Sequence, residues 1–227
     1  MMEDISGLKG AARMNIKKIK TRSVLFNFDE IGDWELNLQL ILGREYNYII
    51  DTGLGSASVE PIKRYIKDDN KPVIIINTHH DWDHIWGNGE FENSIIISHR
   101  LCRELIDSKW EEMLNKYGRY CSGTVEKHLP SLVFENEIYF PEDKIRIIYT
   151  PGHTIDSVSV LDEEDKVLNA GDNIGDTVEE IIPGISAGKD LYIDTLLKYR
   201  DLDFDTCISG HNMVLGKEVI EEILAKI

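Results

Sequence analysis

The sequence has little of what marks fibrous, disulfide-rich or membrane-spanning proteins. Its 227 residues include only 3 cysteines, 6 prolines and 17 glycines, which excludes disulfide scaffolds, collagen-like repeats and low-complexity chains. No apolar run approaches the roughly 20 residues that a membrane-spanning helix needs. The N-terminal region carries basic side chains without an apolar stretch, so we expect no secretory signal and a cytoplasmic protein.

Positive charge is also scarce. Lys and Arg total 25 against 41 Asp and Glu, which gives a formal net charge of −16 at pH 7. Such a charge repels phosphate backbones and anionic lipid headgroups, so we expect a small-molecule substrate rather than nucleic acid or a membrane as partner. Hydrophobic residues make up 42% of the chain. A chain of this length and composition is expected to fold as one domain over residues 1–227.

The order of apolar patterns indicates a mixed α/β domain. Alternation of apolar and polar residues in the first third of the chain predicts an antiparallel start. The predicted strands cover residues 23–28, 37–42, 46–50, 73–77, 95–98, 145–150, 167–169 and 206–209. The predicted helices cover residues 59–66, 102–117 and 218–227.

Three segments fall outside these elements. Residues 1–20 are expected to form a loose N-terminal extension, and residues 119–140 to be irregular. Residues 109–140 contain aromatic and apolar side chains between charged ones. They are either a lid that presents an apolar roof to substrate or a helix that packs on the sheet, because both give this pattern.

The residues most typical of a chemical site lie at predicted strand ends. Residues 79–84 read His-His-Asp-Trp-Asp-His and directly follow a predicted buried strand. Three more candidates, His153, Asp172 and His211, each follow another predicted strand. Strand ends at one edge of an α/β sheet are where sites assemble. The candidate metal ligands are His79, Asp81, Asp83, His84, His153, Asp172 and His211.

This set is large enough for two metal ions. Two first-row divalent ions need about eight to twelve donor atoms between them, some of them from water. Imidazole nitrogen and carboxylate oxygen suit zinc, iron or manganese. The pattern therefore predicts a binuclear metal site. A lone Gly-x-Gly at residues 53–55 lacks the longer dinucleotide signature, so no organic cofactor is expected.

These residues resemble the metallo-β-lactamase superfamily, whose hallmark is a Thr-His-x-His-x-Asp-His loop followed by separate His, Asp and His ligands. Residues 78–84 fit this loop at all but one ligand position, and the Pro-Gly-His-Thr, Gly-Asp and Gly-His sequences that end at residues 154, 172 and 211 fit the rest. The resemblance implies an αββα sandwich of two mixed β-sheets flanked by helices.

The resemblance also implies a role for each ligand. One metal would be held by His79 and His153. The second would be held by Asp83, His84 and His211, with Asp172 bridging the two.

One position departs from the superfamily loop, because Asp81 stands where the middle histidine is usual and His80 lies beside it. Neighbouring residues of an extended segment point to opposite sides, so His79 and Asp81 can reach one ion while His80 points away. We therefore expect Asp81, not His80, to be a ligand. A carboxylate is harder than imidazole, which moves metal preference toward iron or manganese without excluding zinc, otherwise the first choice.

The expected function is a metal-dependent hydrolase in which metal-bound hydroxide attacks a small ester, thioester, lactone or phosphodiester. The catalytic residues would be Asp172, which holds the bridge, and Asp83, which orients the hydroxide and carries a proton. Two alternatives remain open: a non-catalytic metal-binding protein, and a di-iron oxygen or nitric oxide reductase. Such reductases have an acidic residue at the position of Asp81, but they carry a flavin domain for which 227 residues leave no room.

Two neighbouring features allow a functional or a structural interpretation. Asp51 either hydrogen-bonds a metal-binding histidine or caps the end of its strand. Trp82 and Trp86 either form a wall of the substrate pocket or pack the ligand loop and exclude water.

Overall fold

The computed structural model describes residues 13–31 and 34–227. Among these residues the strands are β1 (Arg13–Ile19), β2 (Ser23–Ile31), β3 (Trp34–Leu42), β4 (Asn47–Ile50), β5 (Val73–Ile76), β6 (Ile95–His99), β7 (Leu132–Phe134), β8 (Glu137–Phe140), β9 (Ile145–Tyr149), β10 (Val158–Asp162), β11 (Val167–Asn169), β12 (Thr206–Ile208) and β13 (Leu215–Gly216). The α-helices are α1 (Ser56–Tyr65), α2 (Trp82–Ile85), α3 (Arg100–Tyr117), α4 (Lys189–Asp201) and α5 (Glu218–Lys226).

The strands form two mixed sheets. The first is seven-stranded in the order β1 to β7, antiparallel from β1 to β4 and parallel from β4 to β7. The second is six-stranded in the order β13-β12-β11-β10-β9-β8, and its one parallel pair is β11 with β12. The antiparallel start predicted from the sequence is confirmed.

Alternation along the strands divides the side chains between two apolar layers. In β4 and β5, Ile49 and Ile75 pack with α1, whereas Tyr48, Ile74 and Ile76 face the second sheet. This is the period-two placement that a pleated strand imposes. Helices α4 and α5 cover the outer face of the second sheet. The layers are thus helix, sheet, sheet and helix, which confirms the predicted αββα sandwich.

The ligand-bearing segments meet at one edge of this sandwich. Strands β9, β11 and β12 run in the same direction in the second sheet, because β10 is antiparallel to both β9 and β11. His153, Asp172 and His211 follow the ends of these three strands, and the loop carrying His79 follows β5 in the first sheet. Common strand direction therefore brings distant parts of the sequence together.

The prediction for residues 119–140 is wrong in part. Residues 132–134 form β7, which pairs with β6, and residues 137–140 form β8, which pairs with β9. Both are short edge strands with largely exposed side chains, so their apolar pattern is weak. Of the predicted lid over 109–140, residues 132–134 and 137–140 therefore belong to the sheets, and residues 109–117 belong to α3, which buries Trp110 and Met113.

The expected loose extension over residues 1–20 is also wrong in part. Residues 13–19 form β1, which pairs with β2 over its whole length. Residues 1–12 lie outside the described residues.

Besides β1, β7 and β8, four elements have no counterpart in the sequence-based predictions, namely α2, α4, β10 and β13. The predicted helix over 59–66 begins at Ser56, so Pro61 lies inside it rather than in its first turn. In the part of the chain that the structure describes, no helix is both long and apolar enough to cross a bilayer.

Candidate metal centre

The loop between β5 and the end of α2 carries four of the candidate ligands. His79 and His84 are buried. Asp81 has extended backbone, with φ −65° and ψ 145°, and immediately precedes α2. The chain thus passes from strand to helix within a few residues, which directs His79 and Asp81 to one side and brings Asp83 and His84 back to the same edge.

The first candidate metal-binding group consists of His79, Asp81 and His153, whose ligand atoms lie within 4.8 Å of one another. Asp81 Oδ2 lies 3.5 Å from His79 Nε2 and 3.2 Å from His153 Nε2. The structure therefore places the carboxylate of Asp81 between two imidazoles, where the alternation of the loop predicted it.

The second group consists of Asp83, His84 and His211, also within 4.8 Å of one another. His211 Nε2 lies 3.4 Å from Asp83 Oδ2 and 3.4 Å from His84 Nε2. This group is more deeply buried than the first.

Asp172 lies between the two groups. Its Oδ2 is 3.2 Å from His211 Nε2 and 3.3 Å from His84 Nε2 on one side. On the other side it is 3.6 Å from His79 Nε2 and 4.0 Å from His153 Nε2. All seven sequence-predicted residues are thus brought together, with one carboxylate oxygen facing four imidazoles.

Each of these imidazoles is oriented by a partner at its Nδ1 atom. His84 Nδ1 lies 2.8 Å from Asp51 Oδ2, and His79 Nδ1 lies 3.0 Å from the Thr78 hydroxyl. Backbone carbonyls serve the other two: Gly184 at 2.8 Å from His153 Nδ1 and Glu35 at 2.6 Å from His211 Nδ1. With one proton donated from Nδ1 to these acceptors, it is Nε2 that points into the centre, and its lone pair becomes available to a metal once the Nε2 proton has left.

Asp51 acts on two histidines. Besides its contact with His84, it accepts hydrogen bonds from the Thr78 backbone N–H at 2.7 Å and from the Thr78 hydroxyl at 2.7 Å. The hydroxyl in turn contacts His79. Asp51 has a positive φ of 61°, a conformation that side-chain-bearing residues rarely adopt. Both interpretations of Asp51 therefore apply, since it ends β4 and holds the ligand loop.

His80 is held away from the centre. Its Nδ1 lies 2.9 Å from the buried carboxylate of Asp156, and its Nε2 lies 3.2 Å from the ammonium of Lys109. As expected, these contacts keep His80 out of the candidate metal-binding groups, although its Nε2 lies 3.6 Å from Asp81 Oδ1.

In most of the candidate ligands, neighbouring charges shift the pKa in the direction opposite to the shift that burial causes. Burial lowers the pKa of His84, but the carboxylates of Asp172, Asp83 and Asp51 raise it well above its usual value. The same balance raises the pKa of His153 and of His211 to about 9. Burial raises the pKa of Asp172, yet the surrounding histidines hold it well below its usual range. For Asp83, burial dominates and the pKa is raised.

The donor set fits divalent metal ions. His79 Nε2 and Asp172 Oδ1 are buried in the centre and find no hydrogen-bond partner among the described residues, a costly condition that a coordinated cation would relieve. Four imidazoles and three carboxylates are ligands that zinc, iron and manganese accept. The close packing extends to Gly210, where a Cβ atom would collide with Asp172.

Two cavities that differ in charge flank the centre: two lysines balance two carboxylates in one, and acidic side chains dominate the other. One of about 210 Å³ is lined by Asp81, Trp82, Lys109, Lys116 and Tyr117 among others. The other, of about 420 Å³, borders His211 and is surrounded by acidic side chains. A larger cavity of about 640 Å³ lies beside Arg146 and Lys198 on the second sheet and includes none of the candidate ligands.

Aromatic side chains form part of the wall between the centre and solvent. Trp82 stacks on Tyr117 with ring centroids 4.9 Å apart, and on Tyr120 at 5.2 Å. Trp34 packs edge-on against Trp82 and against His211. Trp82 therefore both lines a cavity and packs the loop, whereas Trp86 is fully buried.

Several residues of the site were not found from the sequence. The carbonyls of Gly184 and Glu35 carry no sequence signal, because any residue can supply a backbone oxygen. Asp156 and Lys109 are single charged residues whose partners lie 76 and 29 residues away in the chain. Asp156 does follow His153 by three residues, but spacing alone gave no reason to pair it with His80.

Comparisons with known proteins agree with this geometry. A family model described as the metallo-beta-lactamase superfamily matches residues 37–211. The chain is 26% identical over 176 residues to a probable metallo-hydrolase of Methanocaldococcus jannaschii, which covers 77% of this chain and 70% of that protein. It is 25% identical over 173 residues to a human acyl-coenzyme A thioesterase, covering 66% of this chain and 61% of the human protein.

Solved structures show the same fold at low identity. The DIM-1 metallo-beta-lactamase superposes with a TM-score of 0.74 at 18% identity, over 96% of this chain and 97% of that one. A metallo-beta-lactamase from Pontibacter korlensis gives a TM-score of 0.72 at 17% identity, over 93% and 97% of the two chains. The family match spans most of the chain and includes all the candidate ligands, so the chain belongs to the metallo-beta-lactamase superfamily of metal-dependent hydrolases.

Proposed function

We propose that the chain is a binuclear metallo-hydrolase that acts on a small ester, thioester, lactone or phosphodiester. The observation that carries this proposal is the position of Asp172 Oδ2, which faces Nε2 of four histidines at 3.2 to 4.0 Å. A single carboxylate in contact with both ligand groups suits a bridge between two ions. Each group adds three protein donors of its own.

In this proposal His79, Asp81 and His153 hold one ion, Asp83, His84 and His211 hold the other, and Asp172 joins them. Zinc is the first choice of metal, and the extra oxygen donor of Asp81 makes iron or manganese a reasonable alternative. When bound, the ions would supply a water of lowered pKa and would polarise the oxygen of the substrate.

The chain's own residues orient the imidazole ligands and transfer protons. The Nδ1 partners keep the imidazoles in the form that presents Nε2, so the ligands need not reorganise during turnover. Burial raises the pKa of Asp83, which suits a carboxyl group that accepts a proton and passes it to the leaving group. Trp34 and Trp82 exclude water from one side of the centre.

Thioesters are the substrate class we place first. The human relative is named as an acyl-coenzyme A thioesterase, and the archaeal relative as a probable metallo-hydrolase. Both names indicate hydrolysis, which favours a hydrolase over the reductase and the non-catalytic metal-binding protein.

The test is metal analysis of protein purified without added metal, combined with a panel of ester, thioester, lactone and phosphodiester substrates. We expect about two ions per chain and hydrolysis of at least one substrate class. One ion per chain would contradict the binuclear site. Oxygen or nitric oxide consumption with a reductant, together with no hydrolysis of any panel member, would contradict the hydrolase function.

A further inference from the structure

The cavity of about 210 Å³ beside Asp81 differs from the rest of the site because it is lined by two lysines. Lys109 and Lys116 are seven residues apart on α3, which is about two helical turns, so both lie on the face of α3 that meets the cavity. Trp82 and Tyr117, stacked at 4.9 Å, form an aromatic wall. In a chain with a net charge of −16, a cavity in which two lysines balance two carboxylates, Asp81 and Glu112, is a local exception, and a metal bound by Asp81 would leave it net positive.

Neither ammonium group is held in an ion pair by the described residues. In the described parts of the chain, the lysines that form ion pairs are Lys20, Lys63, Lys71, Lys127, Lys166 and Lys226. Lys109 and Lys116 are not among them. Glu112 is the acidic side chain of α3 that lines the same cavity, and Asp81 is the other carboxylate there.

Lys109 is held in place from the protein interior. Asp156 is fully buried, and its Oδ1 lies 2.9 Å from His80 Nδ1. Because Asp156 accepts the Nδ1 proton, His80 Nε2 is left as an acceptor for the Lys109 ammonium, 3.2 Å away. A buried carboxylate is costly to desolvate. Asp156 therefore has a structural effect, because it fixes the His80 imidazole, whose Nε2 contacts Lys109.

The carboxylate of Asp81 belongs to both the cavity lining and the candidate metal ligands. Asp81 Oδ2 faces His153 Nε2 at 3.2 Å, whereas its Oδ1 faces His80 Nε2 at 3.6 Å. A substrate whose reacting group lies at the metal centre can therefore place another part of the same molecule in the cavity that Lys109 and Lys116 line.

The opposite side of the centre would repel an anion. The cavity beside His211 is lined by Glu35, Asp176, Glu179 and Glu180. Of the two cavities, the one toward α3 is therefore the one that favours the charged group of an anionic substrate.

We propose that Lys109 and Lys116 bind an anionic group of the substrate, a carboxylate or a phosphate, while the scissile bond lies at the metal centre. This inference rests on the proposed hydrolase function and narrows its substrates to anionic ones. Trp82 and Tyr117 bound the pocket and limit the size of the group that enters it.

The test compares three thioesters that differ in charge. Acetyl-N-acetylcysteamine is uncharged, succinyl-N-acetylcysteamine carries a carboxylate on the acyl side, and acetyl-coenzyme A carries phosphates on the thiol side. The readout is the ratio of kcat/KM for each anionic substrate to kcat/KM for the uncharged one, measured on metal-loaded protein of known metal content. The two anionic arms distinguish a carboxylate from a phosphate as the recognised group.

For Lys109→Ala we expect this ratio to fall roughly tenfold, and for the more exposed Lys116 about threefold, because each loses one charge-assisted hydrogen bond. Lys116→Arg keeps the charge and should restore most of the ratio. The matched control is Lys127→Ala, which removes a nearby lysine that pairs with Asp107 instead of lining the cavity, and it should leave the ratio unchanged. An unchanged ratio in the Lys109→Ala, Lys116→Ala double variant for both anionic substrates overturns the proposal.

A binding measurement separates this proposal from the hydrolase function. Calorimetric titration of metal-loaded wild type and double variant with coenzyme A and with succinate cancels any contact of the ligand with metal, because that contact is common to both proteins. Weaker binding to the double variant, by about tenfold, supports the lysine site even if no thioester is hydrolysed, in which case only the proposed function fails. Equal binding to the two proteins overturns the lysine site, whatever the activity.

Discussion

The two candidate metal-binding groups share a bridging carboxylate but differ in exposure. In the first group the side chains of Asp81 and His153 are 35% and 23% exposed. In the second, those of Asp83 and His211 are 12% and 8% exposed, and His84 is fully buried. The first group also borders the lysine-lined cavity, whereas the second lies against Trp34 and the acidic cavity.

This difference in exposure indicates that metals bound at the two groups would differ in their rate of exchange. A metal in the first group is reached from solvent past one carboxylate, so it should exchange faster and its identity should depend on Asp81. A metal in the second group is enclosed by packed side chains and should be released only when those side chains move. Variants of Asp172, Asp81 and His80 distinguish the two groups, and the largest effect is expected at Asp172.

Asp172→Ala should weaken metal binding at both groups, because both lose the carboxylate oxygen that they share. We expect metal content to fall from about two ions per chain to less than one, with at least about a hundredfold loss of affinity for each ion. Elemental analysis after dialysis measures this. Asp176→Ala is the control, since Asp176 is an exposed acidic residue four positions away. Full occupancy in Asp172→Ala would show that the bridging assignment is wrong.

Asp81→Ala should affect the first group alone and leave about one ion per chain. Loss of a direct ligand should exceed the roughly 10- to 100-fold effect of losing an outer partner. His80→Asn is the comparison, because its amide can still donate to Asp156 in place of the imidazole Nδ1–H. Metal affinity should therefore fall far less in His80→Asn than in Asp81→Ala. The reverse ranking would mean that His80 is the ligand.

Proton release should differ between the groups. Despite burial, carboxylates raise the pKa of His153 in the first group to about 9, that of His211 in the second to about 9, and that of His84 well above its usual value. At pH 7 these imidazoles carry protons that a metal must displace. We expect about one proton released from the first group and about two from the second.

The sign of the pH dependence follows from the raised histidine pKa values. Protonated histidines stabilise the metal-free fold fully below pH about 6.5, and this contribution is lost as the pH rises through about 9. Metal affinity should rise over the same window, by about tenfold per pH unit for each displaced proton. Calorimetry of wild type and Asp81→Ala in buffers of different ionisation enthalpy counts the protons. Equal heats in all buffers would contradict this prediction.

Asp81→His should have the smallest effect on metal content, and it tests whether residue 81 sets the choice of metal at the first group. It restores the usual superfamily loop and exchanges a hard oxygen for a borderline nitrogen, so the preference for zinc over manganese should rise by about tenfold at the first group only. Competition binding of the two metals to both proteins measures the ratio. If the ratio is the same in both, residue 81 does not set metal choice.

The candidate site was more predictable from the sequence than the elements around it. Each candidate ligand follows a short apolar run, and this association is local, so the sequence displays it directly. The period-two alternation of an extended segment placed Asp81 and His80 on different sides. The roles of the seven residues as ligands remain predictions, which the variants above test.

The missed elements have identifiable causes. Strand β1 contains Lys17 and Lys18 at the edge of a sheet, where solvent tolerates charge and the apolar pattern is weakened. Strand β10 begins five residues after His153, inside a segment dominated by turn-forming residues. Helix α4 did carry a signal, because its buried residues 192, 195, 196 and 199 repeat with helical spacing. The tyrosines and threonine among them obscured it.

The left-handed backbone of Asp51 has a consequence for engineering this protein. A non-glycine residue in that conformation costs roughly 1 kcal/mol, which Asp51→Gly would relieve. Glycine would also leave the buried Thr78 N–H without its acceptor, at a cost of about 1–3 kcal/mol, and His84 Nδ1 without its partner. The hydrogen bonds outweigh the strain, so a library randomised at residue 51 should retain aspartate whether it is selected for thermal stability in chelator or for turnover in a metal-poor medium.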